Sequence, residues 1–561
     1  MIAVESAPKL SRNEGLKQAS PLLAGTIPLA LSDASTDHFS EDDYEFLKFH
    51  GVYQQDDRDK RKTGKQYMLM VRTRFPGGVL TADQYRACDE LIDRYGNHTM
   101  RITTRQDFQF HGIVKANLRQ TIRSLNDALV TTIAACGDVA RNVMAPTTPS
   151  TSPLVDHVLA EAKKISSVLT PKTPAYAAIW LDGQEIDFPQ EARDSFVDPL
   201  YGKTYLPRKF KTAFAFPPVN DIDIFTNDLG FVVIADGERL LGYNLLAGGG
   251  LGMSHGNAQT FPRLADVIGF ITPDQLEATA RAVVGIHRDF GDRANRKHAR
   301  LKYVIAERGV DWFRAEVESR IGAKLEAARP FQFTRMGDLL GWHQQYNGNY
   351  FFGLFVQSGR IRDHESYRLK TALRRIIDQF QPEVRLTPNQ NILLANVRPE
   401  QRAGIDQVFE EHGVSTANPY SPTQLASMAC PALPTCGLAL AESERALPGF
   451  LTQIEAVLEE LGLKNQELIV RMTGCPNGCA RPSMAEIAFV GKAPNKYQIY
   501  LGGNEGGTRL NRLFKDSVKG DDLINELRPI LARYRDERLP GERFGDYSQR
   551  VILAEQPAAS T

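Results

Sequence analysis

A weak internal duplication constrains the fold of this 561-residue sequence more than any other feature. The segment RITTRQDFQFHGI begins at residue 101, and the similar segment VRLTPNQNILLANV begins at residue 384. Three pairs of polar residues align between them: Arg101 with Arg385, Thr103 with Thr387, and Gln106 with Gln390. A repeated segment of this kind predicts that two parts of the chain adopt the same local fold.

The residues before each motif follow the same pattern. An apolar, strand-like run comes first, QYMLMVRTRF at 66–75 in one copy and NYFFGLFVQSG at 349–359 in the other. A helical stretch then separates the run from the motif, TADQYRACDELIDRYG at 81–96 and SYRLKTALRRIIDQF at 366–380. The periodicity predicts a strand–helix–strand unit that occurs twice.

A second pair of similar segments follows the first pair. The stretch that starts TAFAFPPVNDIDIF at 212 and the stretch that starts RMTGCPNGCARP at 471 both run from a polar opening through strands to a glycine-rich loop. The order A-B-A′-B′ predicts an α+β protein of two pseudo-equivalent halves, with a joint near Pro330. Helices are predicted at 155–170, 274–290, 312–327, 399–412, 444–461 and 521–537.

Composition excludes several functional classes. Lys and Arg together equal Asp and Glu at 67 each, so no overall basic field favours nucleic acid, and an anion site must be a local cluster. No window approaches the roughly eighteen apolar residues of a membrane span, and the N-terminus lacks the pattern of a secretory signal. We therefore expect a cytoplasmic protein that binds neither membrane nor nucleic acid, with a flexible polar segment at 1–45.

Four of the six cysteines form two tight pairs, Cys430 with Cys436 and Cys475 with Cys479. Their C-x5-C and C-x3-C spacing differs from the C-x2-C pairs typical of structural zinc, yet four soft thiolates suit either zinc or an iron–sulfur cluster. Turns rich in Pro and Gly bend the backbone around a bulky group, which favours the cluster. Cys88 and Cys136 stand alone and are expected to be small buried hydrophobic residues.

Long motifs along the chain resemble the sirohaem-dependent sulfite and nitrite reductases. Both cysteine segments are similar, CPALPTCGLALAESER at 430–445 and RMTGCPNGCARP at 471–482. Other matching motifs closely resemble the haemoprotein (β) component of the bacterial NADPH-dependent enzymes. They are FHGVYQQDDRD (49–59), RITTRQDFQFHGI (101–113), YLPRKFKT (205–212), PPVNDIDIF (217–225), NLLAGGGL (244–251) and FGDY (544–547).

This resemblance implies an internally duplicated nitrite/sulfite reductase fold with pseudo-two-fold symmetry. Ferredoxin-like half-domains are expected at 46–145 and 329–400, the first of them packed with residues 331–400. Two sirohaem- and cluster-binding domains are expected at 146–328 and 401–561, after the N-terminal segment at 1–45.

The resemblance also implies the cofactors. The four cysteines would hold a [4Fe–4S] cluster, and the thiolate of Cys479 would also be the proximal ligand of sirohaem iron. A shared thiolate would couple the two centres electronically. The reaction that the resemblance implies is the six-electron reduction of sulfite to sulfide for cysteine biosynthesis.

Four basic residues are expected to contact the anion and to supply its protons, because sulfite is a dianion whose oxygens leave as water. By resemblance to the family these are Arg72, Arg141, Lys209 and Lys211. Lys209 and Lys211 are two residues apart, so in a strand both side chains point to one face. Taken without the resemblance, each is as readily a solvated or ion-paired surface residue.

Sirohaem carries many carboxylates, so further polar donors are expected around it. The candidates are Arg101, Arg105, Gln106, His111, Arg208 and Asn257, beside Cys479 itself. His111 is not proposed as an iron ligand, since a histidine at such a place is often a hydrogen-bonded core residue. The loop Gly248–Gly250 lacks a dinucleotide fingerprint, and its glycines are expected to let backbone approach the flat macrocycle.

The sequence shows no P-loop, no Rossmann fingerprint and no flavin signature, although the implied reaction draws on NADPH. A separate electron-donating partner is therefore needed. The resemblance implies that this partner is a flavoprotein (the α component) in a hetero-oligomer, and that NADPH, FAD and FMN act only through it. Two alternatives stay open. One is a ferredoxin-dependent sulfite or nitrite reductase with the same cofactors, and the other is a non-catalytic module in which the four cysteines hold structural zinc.

Overall fold

The computed structural model of this chain describes residues 9–148, 152–182 and 195–556. Helices and sheets alternate along the chain, as expected of an α+β protein. The helices are α1 (Arg12–Ala19), α2 (Ile27–Ser32), α3 (Glu41–Phe49), α4 (Ala82–Tyr95), α5 (Lys115–Asp127), α6 (Pro153–Val168), α7 (Ala175–Ala177), α8 (Leu276–Phe290), α9 (Leu301–Arg308), α10 (Val310–Ile321), α11 (Leu369–Phe380), α12 (Arg402–Glu411), α13 (Pro422–Leu425), α14 (Leu447–Glu460), α15 (Leu523–Glu537) and α16 (Phe544–Tyr547).

The strands fall into four larger sheets and one short hairpin. In chain order they are β1 (Val52–Asp56), β2 (Tyr67–Arg72), β3 (Val79–Leu80), β4 (Met100–Ile102), β5 (Phe108–Ile113), β6 (Ala140–Met144), β7 (Phe210–Ala215), β8 (Leu229–Asp236), β9 (Arg239–Ala247), β10 (Asp266–Ile271), β11 (Gly341–Gln344), β12 (Tyr350–Leu354), β13 (Arg360–Ile361), β14 (Asp363–His364), β15 (Tyr367–Arg368), β16 (Glu383–Leu386), β17 (Ile392–Val397), β18 (Met428–Ala429), β19 (Val470–Thr473), β20 (Ile487–Ala493), β21 (Lys496–Leu501) and β22 (Arg512–Lys519).

The two ferredoxin-like halves exchange a strand. The first sheet has the order β1-β2-β5-β4-β13, and the second has the order β11-β12-β17-β16-β3. The short strand that follows β2 in the chain thus completes the second sheet, and the short strand that follows β12 completes the first. This reciprocal exchange joins the halves through backbone hydrogen bonds and gives the pair its two-fold relation.

The other two sheets also match each other. One has the order β10-β9-β8-β7-β6 and the other the order β18-β19-β20-β21-β22. In both, the first three strands in the chain pair in parallel and the last three pair antiparallel. The predicted A-B-A′-B′ duplication is therefore confirmed.

Equivalent glutamines make the same hydrogen bond in the two ferredoxin-like halves. Gln106 and Gln390 both have positive φ, 59° and 70°, at the turn after the first strand of the motif. Each donates its side-chain amide to a backbone carbonyl of the following domain, Ala145 at 3.0 Å and Ala429 at 3.1 Å. The glutamine of the repeated motif thus ties each half to the sheet that follows it.

The six predicted helices are all present, as α6, α8, α10, α12, α14 and α15. The proposed domain boundary at residue 400 falls just before α12 (Arg402–Glu411). Phe409 of that helix packs on Phe352 of β12, with ring centroids 5.4 Å apart. The helix therefore packs with the second ferredoxin-like half rather than with the cysteine-bearing sheet. Strand β6, which the prediction placed in the first ferredoxin-like half, pairs with β7 in the sheet of the first repeat. The remaining boundaries stay predictions.

The prediction of a flexible segment at 1–45 is wrong for its described residues, which are 9–45. Helix α1 buries Glu14 and Lys17, and the chain that follows sends Leu22 and Ile27 into the main hydrophobic core. The polar sequence concealed this packing because α1 buries an ion pair and not an apolar stripe. Residues 1–8 lie outside the described residues.

Candidate active site

The four thiols of Cys430, Cys436, Cys475 and Cys479 share one pocket. Burial, and next the neighbouring Cys479, raise the pKa of the Cys430 thiol to about 12, and they raise that of Cys475 as well. The charge of one thiolate therefore affects the pKa of its neighbours. Buried thiolates need compensating positive charge, which a metal centre supplies when it displaces their protons.

The four thiols are close enough to interact electrostatically. Among the residues that the structure describes, no three His, Cys, Asp or Glu side chains are placed to hold a single metal ion. Ligands of one tetrahedral zinc would crowd around a point at about 2.3 Å from the metal.

Both cysteine turns accept hydrogen bonds from the first ferredoxin-like half. One guanidinium nitrogen of Arg58 points at the carbonyls of Cys436, Gly437 and Ala439, at 3.4, 3.2 and 3.0 Å. The hydroxyl of Thr104 donates to the carbonyl of Cys479 at 2.9 Å. Arg58 lies in the matched motif FHGVYQQDDRD, but sequence reasoning assigned it no part in the site.

Cys479 is the exposed cysteine of the four, and cations face it. Burial opposes the charge on Arg72, yet nearby acidic groups, Cys136 first and Cys479 among them, raise the pKa of that guanidinium. Lys211 also interacts with Cys479. The thiol proposed to be shared between two centres therefore opens on the side where the predicted anion-binding residues lie.

Three elements bring the four predicted anion-binding residues together. Arg72 ends β2, Arg141 lies on β6, and Lys209 and Lys211 flank Phe210 at the start of β7. Phe210 and Thr212 are fully buried while the two lysines are half-buried, so burial alternates along this segment as it does along a strand. Lys209 and Lys211 therefore share a face, as predicted.

Burial and neighbouring cations lower the pKa values of both lysines in this group. Burial, followed by Arg208 and Arg300, lowers the pKa of Lys209 well below its usual value. Burial, Arg105 and Arg300 lower the pKa of Lys211 to about 7. A bound anion would stabilise the charged form of these lysines and would raise their pKa values again.

Two buried carboxylates fix the frame of this cluster. Asp228 accepts from the guanidinium of Arg300 at 2.8 Å and from the backbone N–H of Lys211 at 2.8 Å. Asp138 accepts two hydrogen bonds from Arg296, at 2.6 and 3.0 Å. Arg296 and Arg300 were missed at the sequence level, although they belong to the basic run RANRKHARLK at 293–302.

The candidate cofactor-binding residues differ in how free their polar atoms are. Arg105 donates to Asn227, Asn142 and Thr212, and its Nε is buried without a partner among the described residues. The side chain of Gln106 is engaged at both ends by the backbone of Ala145, at 3.0 Å each way. A contact from Arg105 to a cofactor thus has a free donor, whereas the amide of Gln106 is already satisfied.

Arg101 and His111 lie beside the cluster-binding domain. Arg101 donates to Glu444 at 3.1 Å and to the carbonyl of Ala429 at 2.8 Å, next to Cys430. Both ring nitrogens of His111 are buried with no partner in the described parts of the chain. Burial, then Arg360 and Arg101, holds the pKa of His111 well below its usual value, so the ring is neutral.

The glycine-rich loop and Asn257 frame the Cys475–Cys479 turn from the other repeat. Met253 donates its N–H to the carbonyl of Pro476 at 3.0 Å, and Asn257 closes a turn in the same loop by accepting from Gln259. A side chain at Gly249 would lie 2.1 Å from the carbonyl of Phe225. That glycine is therefore required by contact with its own domain, not only by the expected approach to a macrocycle.

Comparing the two repeats shows that the cations occur on one side only. Glu486 accepts from the N–H of Ile469 at 2.9 Å just as Asp228 accepts from that of Lys211, so Ile469 is the counterpart of Lys211. By the same hydrogen-bond registers, the counterparts of Arg72 and Lys209 are Gly353 and Glu467. Counting back four residues from Ala145 and Ala429 matches Arg141 with Leu425, which lies in helix α13 and not in a strand. The duplicated frame thus carries its cationic pocket at one of two related places.

Next to the pseudo-two-fold axis lies a buried ion-pair group. Asp223 and Arg481 hold equivalent left-handed turn positions in the two repeats, and their side chains pair at 3.1 Å. Arg471 donates to Asp223 at 2.8 Å and to the carbonyl of Arg481 at 3.1 Å. Because Arg481 follows Cys479 by two residues, this group fixes the turn that carries the shared thiol.

The residues present fit the cofactors that the sequence implies. Four thiols share a pocket, the exposed thiol faces a group of cations, and buried polar atoms of Arg105 and His111 lack partners among the described residues. A four-thiolate cluster would neutralise the first group, and a carboxylate-rich macrocycle would satisfy the others.

Two family models match the chain. "Nitrite/Sulfite reductase ferredoxin-like half domain" matches residues 60–128 and 343–412, and "Nitrite and sulphite reductase 4Fe-4S domain" matches residues 160–325. The second match covers the first repeat, which contains none of the four cysteines, whereas those cysteines lie in the equivalent second repeat. The chain belongs to the nitrite and sulfite reductase family.

Full-length relatives agree with this assignment. Proteins described as "Sulfite reductase [NADPH] hemoprotein beta-component" include one from Staphylococcus saprophyticus, 45% identical over 99% of this chain and 98% of its own. Another, from Myxococcus xanthus, is 47% identical over 98% of both chains. Among solved structures, the NirA protein of Mycobacterium tuberculosis is similar in fold, with a TM-score of 0.78, 23% identity and 97% of each chain covered.

In the described ranges, no helix is both long and apolar enough to cross a membrane.

Proposed function

We propose that this chain is the haemoprotein subunit of an assimilatory sulfite reductase, which reduces sulfite to sulfide with six electrons. Relatives that bear this description align with it over almost their whole length. The structural observation that carries the proposal is the group of Arg72, Arg141, Lys209 and Lys211, gathered beside the exposed Cys479 in one repeat and absent at the counterpart positions of the other.

Four cysteines would hold the [4Fe–4S] cluster, with Cys479 shared between it and sirohaem. When bound, this pair of groups supplies the electrons and the iron at which the sulfur of sulfite is reduced. Arg101, Arg105, Gln106, His111, Arg208 and Asn257 are the residues proposed to hold the macrocycle. For Gln106 this requires its amide to exchange a backbone partner, so its contribution is expected to be indirect.

The cations would divide the work of binding and protonation. A guanidinium group presents several donors in a fixed planar geometry that suits an oxyanion, so we assign Arg72 and Arg141 to holding the oxygens of the anion. Burial and neighbouring cations lower the pKa values of Lys209 and Lys211, which makes each ammonium a better proton donor. We assign these two lysines to protonating the oxygens that leave as water.

The electron donor is proposed to be a separate flavoprotein subunit that carries FAD and FMN and oxidises NADPH. The relatives' description as a β-component of an NADPH enzyme supports such a partner. All six cysteines are unpaired, which is consistent with a cytoplasmic location. Sulfide formed there would enter cysteine biosynthesis.

Turnover of sulfite against nitrite by the purified protein, with one artificial electron donor, tests the proposal. Sulfite should be the preferred substrate by kcat/KM, because four cations are arranged around a site for a compact dianion. Nitrite carries a single negative charge and draws less on this group. A higher kcat/KM for nitrite would contradict the assignment and favour a nitrite reductase of the same fold.

A further inference from the structure

Three cations hold the stretch of backbone that leads into the lysine pair. Each donates a hydrogen bond to one of three consecutive carbonyls: Arg293 to Tyr205 at 2.8 Å, Lys17 to Leu206 at 2.8 Å, and Arg296 to Pro207 at 3.3 Å. The next residue in the chain is Arg208, and Lys209 and Lys211 follow. Hydrogen bonds from charged donors are the stronger kind, so this backbone is firmly placed.

The same three cations surround two buried carboxylates. Glu14 accepts from both Lys17 and Arg293, and Asp138 lies 3.7 Å from the ammonium of Lys17 while it accepts from Arg296. The side chains of Lys17, Glu14 and Asp138 are each at most 2% exposed. Helix α1 (Arg12–Ala19) therefore brings a buried ion pair to the back of the anion pocket.

Asp138 also interacts with a member of the pocket. Arg296 first, then Lys17, and more weakly Arg208 offset the burial of Asp138 and keep its pKa well below the usual value. Removal of the Lys17 ammonium would leave Asp138 with less compensation. Arg208, which interacts with Asp138, would then be drawn more strongly toward that carboxylate.

We propose that Lys17 is a positioning residue for the anion site: from helix α1 it holds the carbonyl of Leu206 and shields Arg208 from Asp138, which keeps the Arg208–Lys211 cations aimed into the pocket. The inference rests on the proposed function. It makes the N-terminal helix part of the frame of the site, whereas the sequence suggested a flexible tail.

The test is Lys17→Met in the full-length, cofactor-loaded protein. The KM for sulfite and the sulfite dissociation constant, read from the change in the visible spectrum on binding, should both rise about tenfold, the effect of losing one charged hydrogen bond. The value of kcat should change less, because Lys209 and Lys211 keep their own ammonium groups. The spectrum without sulfite should stay as in the unaltered protein, which shows that the cofactors are retained.

Two variants control this experiment. Arg12→Met removes a cation from the same helix that pairs with Asp42 at the surface, and it should leave sulfite binding unchanged. Lys17→Arg keeps the charge and should recover most of the affinity. If Lys17→Met does not fold, Arg296→Gln is used instead, since Arg296 is less buried and holds the carbonyl of Pro207; the same loss of affinity is expected.

The outcomes separate the two proposals. Sulfite affinity within twofold of the unaltered protein for Lys17→Met, or an equal loss for Arg12→Met, would overturn the positioning role while the proposed function stands. An unaltered protein and an Arg12→Met variant that both fail to reduce sulfite would overturn the proposed function, and the inference with it.

Discussion

Burial and neighbouring charges determine how firmly single side chains in this molecule hold their protons. Burial first, and neighbouring cations next, lower the pKa values of Lys209 and Lys211, so their ammonium groups hold protons less firmly than that of a surface lysine. The counterparts in the other repeat, Glu467 and Ile469, have no such role, although the backbone around them is the same. Side-chain differences on a duplicated frame therefore distinguish the proposed anion site from its counterpart.

Replacement of Lys209 tests this view at the residue scale. Lys209→Met should retain both cofactors and lower kcat by about 100-fold, the usual contribution of a positioned proton donor. The loss of sulfite affinity should be much smaller, because Arg72 and Arg141 still hold the anion. Single-turnover rates and a sulfite titration of the same sample provide the two numbers.

Exposed Lys203 provides a matched control for that experiment, since it lies in the same segment outside the pocket. Lys203→Met should behave as the unaltered protein does. Unchanged turnover in Lys209→Met, or a loss of affinity as large as the loss of rate, would remove Lys209 from proton donation.

At the scale of elements, the site depends on turns that are held from outside their own domain. The Cys475–Cys479 turn contacts Thr104 of the first ferredoxin-like half, and the ion pairs of Asp223 hold it to the first repeat. No local sequence pattern describes such contacts. They arise because the chain brings residues more than two hundred positions apart to one axis.

Asp223→Asn tests the importance of the ion-pair group at that axis. The change leaves two buried guanidinium groups without a carboxylate, which should cost about 3 kcal/mol of unfolding free energy. Urea unfolding of the cofactor-loaded protein measures it. Asp236→Asn, which removes an exposed pair with Arg239, is the control and should cost less than about 1 kcal/mol. Equal costs for the two variants would contradict the assignment.

Much of the element structure was predictable from sequence, and the exceptions have physical causes. Helices such as α8 and α14 show clear periodicity, and the duplicated motifs gave the order of the sheets. The exchanged strands β3 and β13 are only two residues long, too short for any period to appear. Helix α1 was missed because it buries the charged residues Glu14 and Lys17, and charged residues in a sequence usually indicate an exposed surface.

On the scale of the whole molecule, duplication explains why the site is asymmetric. Each half supplies one ferredoxin-like sheet and one mixed parallel and antiparallel sheet, and the exchanged strands β3 and β13 join the two halves. The second repeat then contributes the cysteines and the first contributes the cations, so neither half holds a complete site. The motifs predicted the candidate residues, but the folded chain is needed to see that Arg72 and Lys211 interact with Cys479 of the other repeat.

The most direct test of this account is the absorption spectrum of the purified protein, combined with iron and acid-labile sulfide analysis. A strong haem-like visible spectrum, about five iron atoms and about four labile sulfides per chain are predicted, for one sirohaem and one [4Fe–4S] cluster. Cys479→Ser should lose this spectrum, because a hydroxyl binds such clusters poorly. A colourless protein that is fully folded and contains zinc in place of iron would contradict the account.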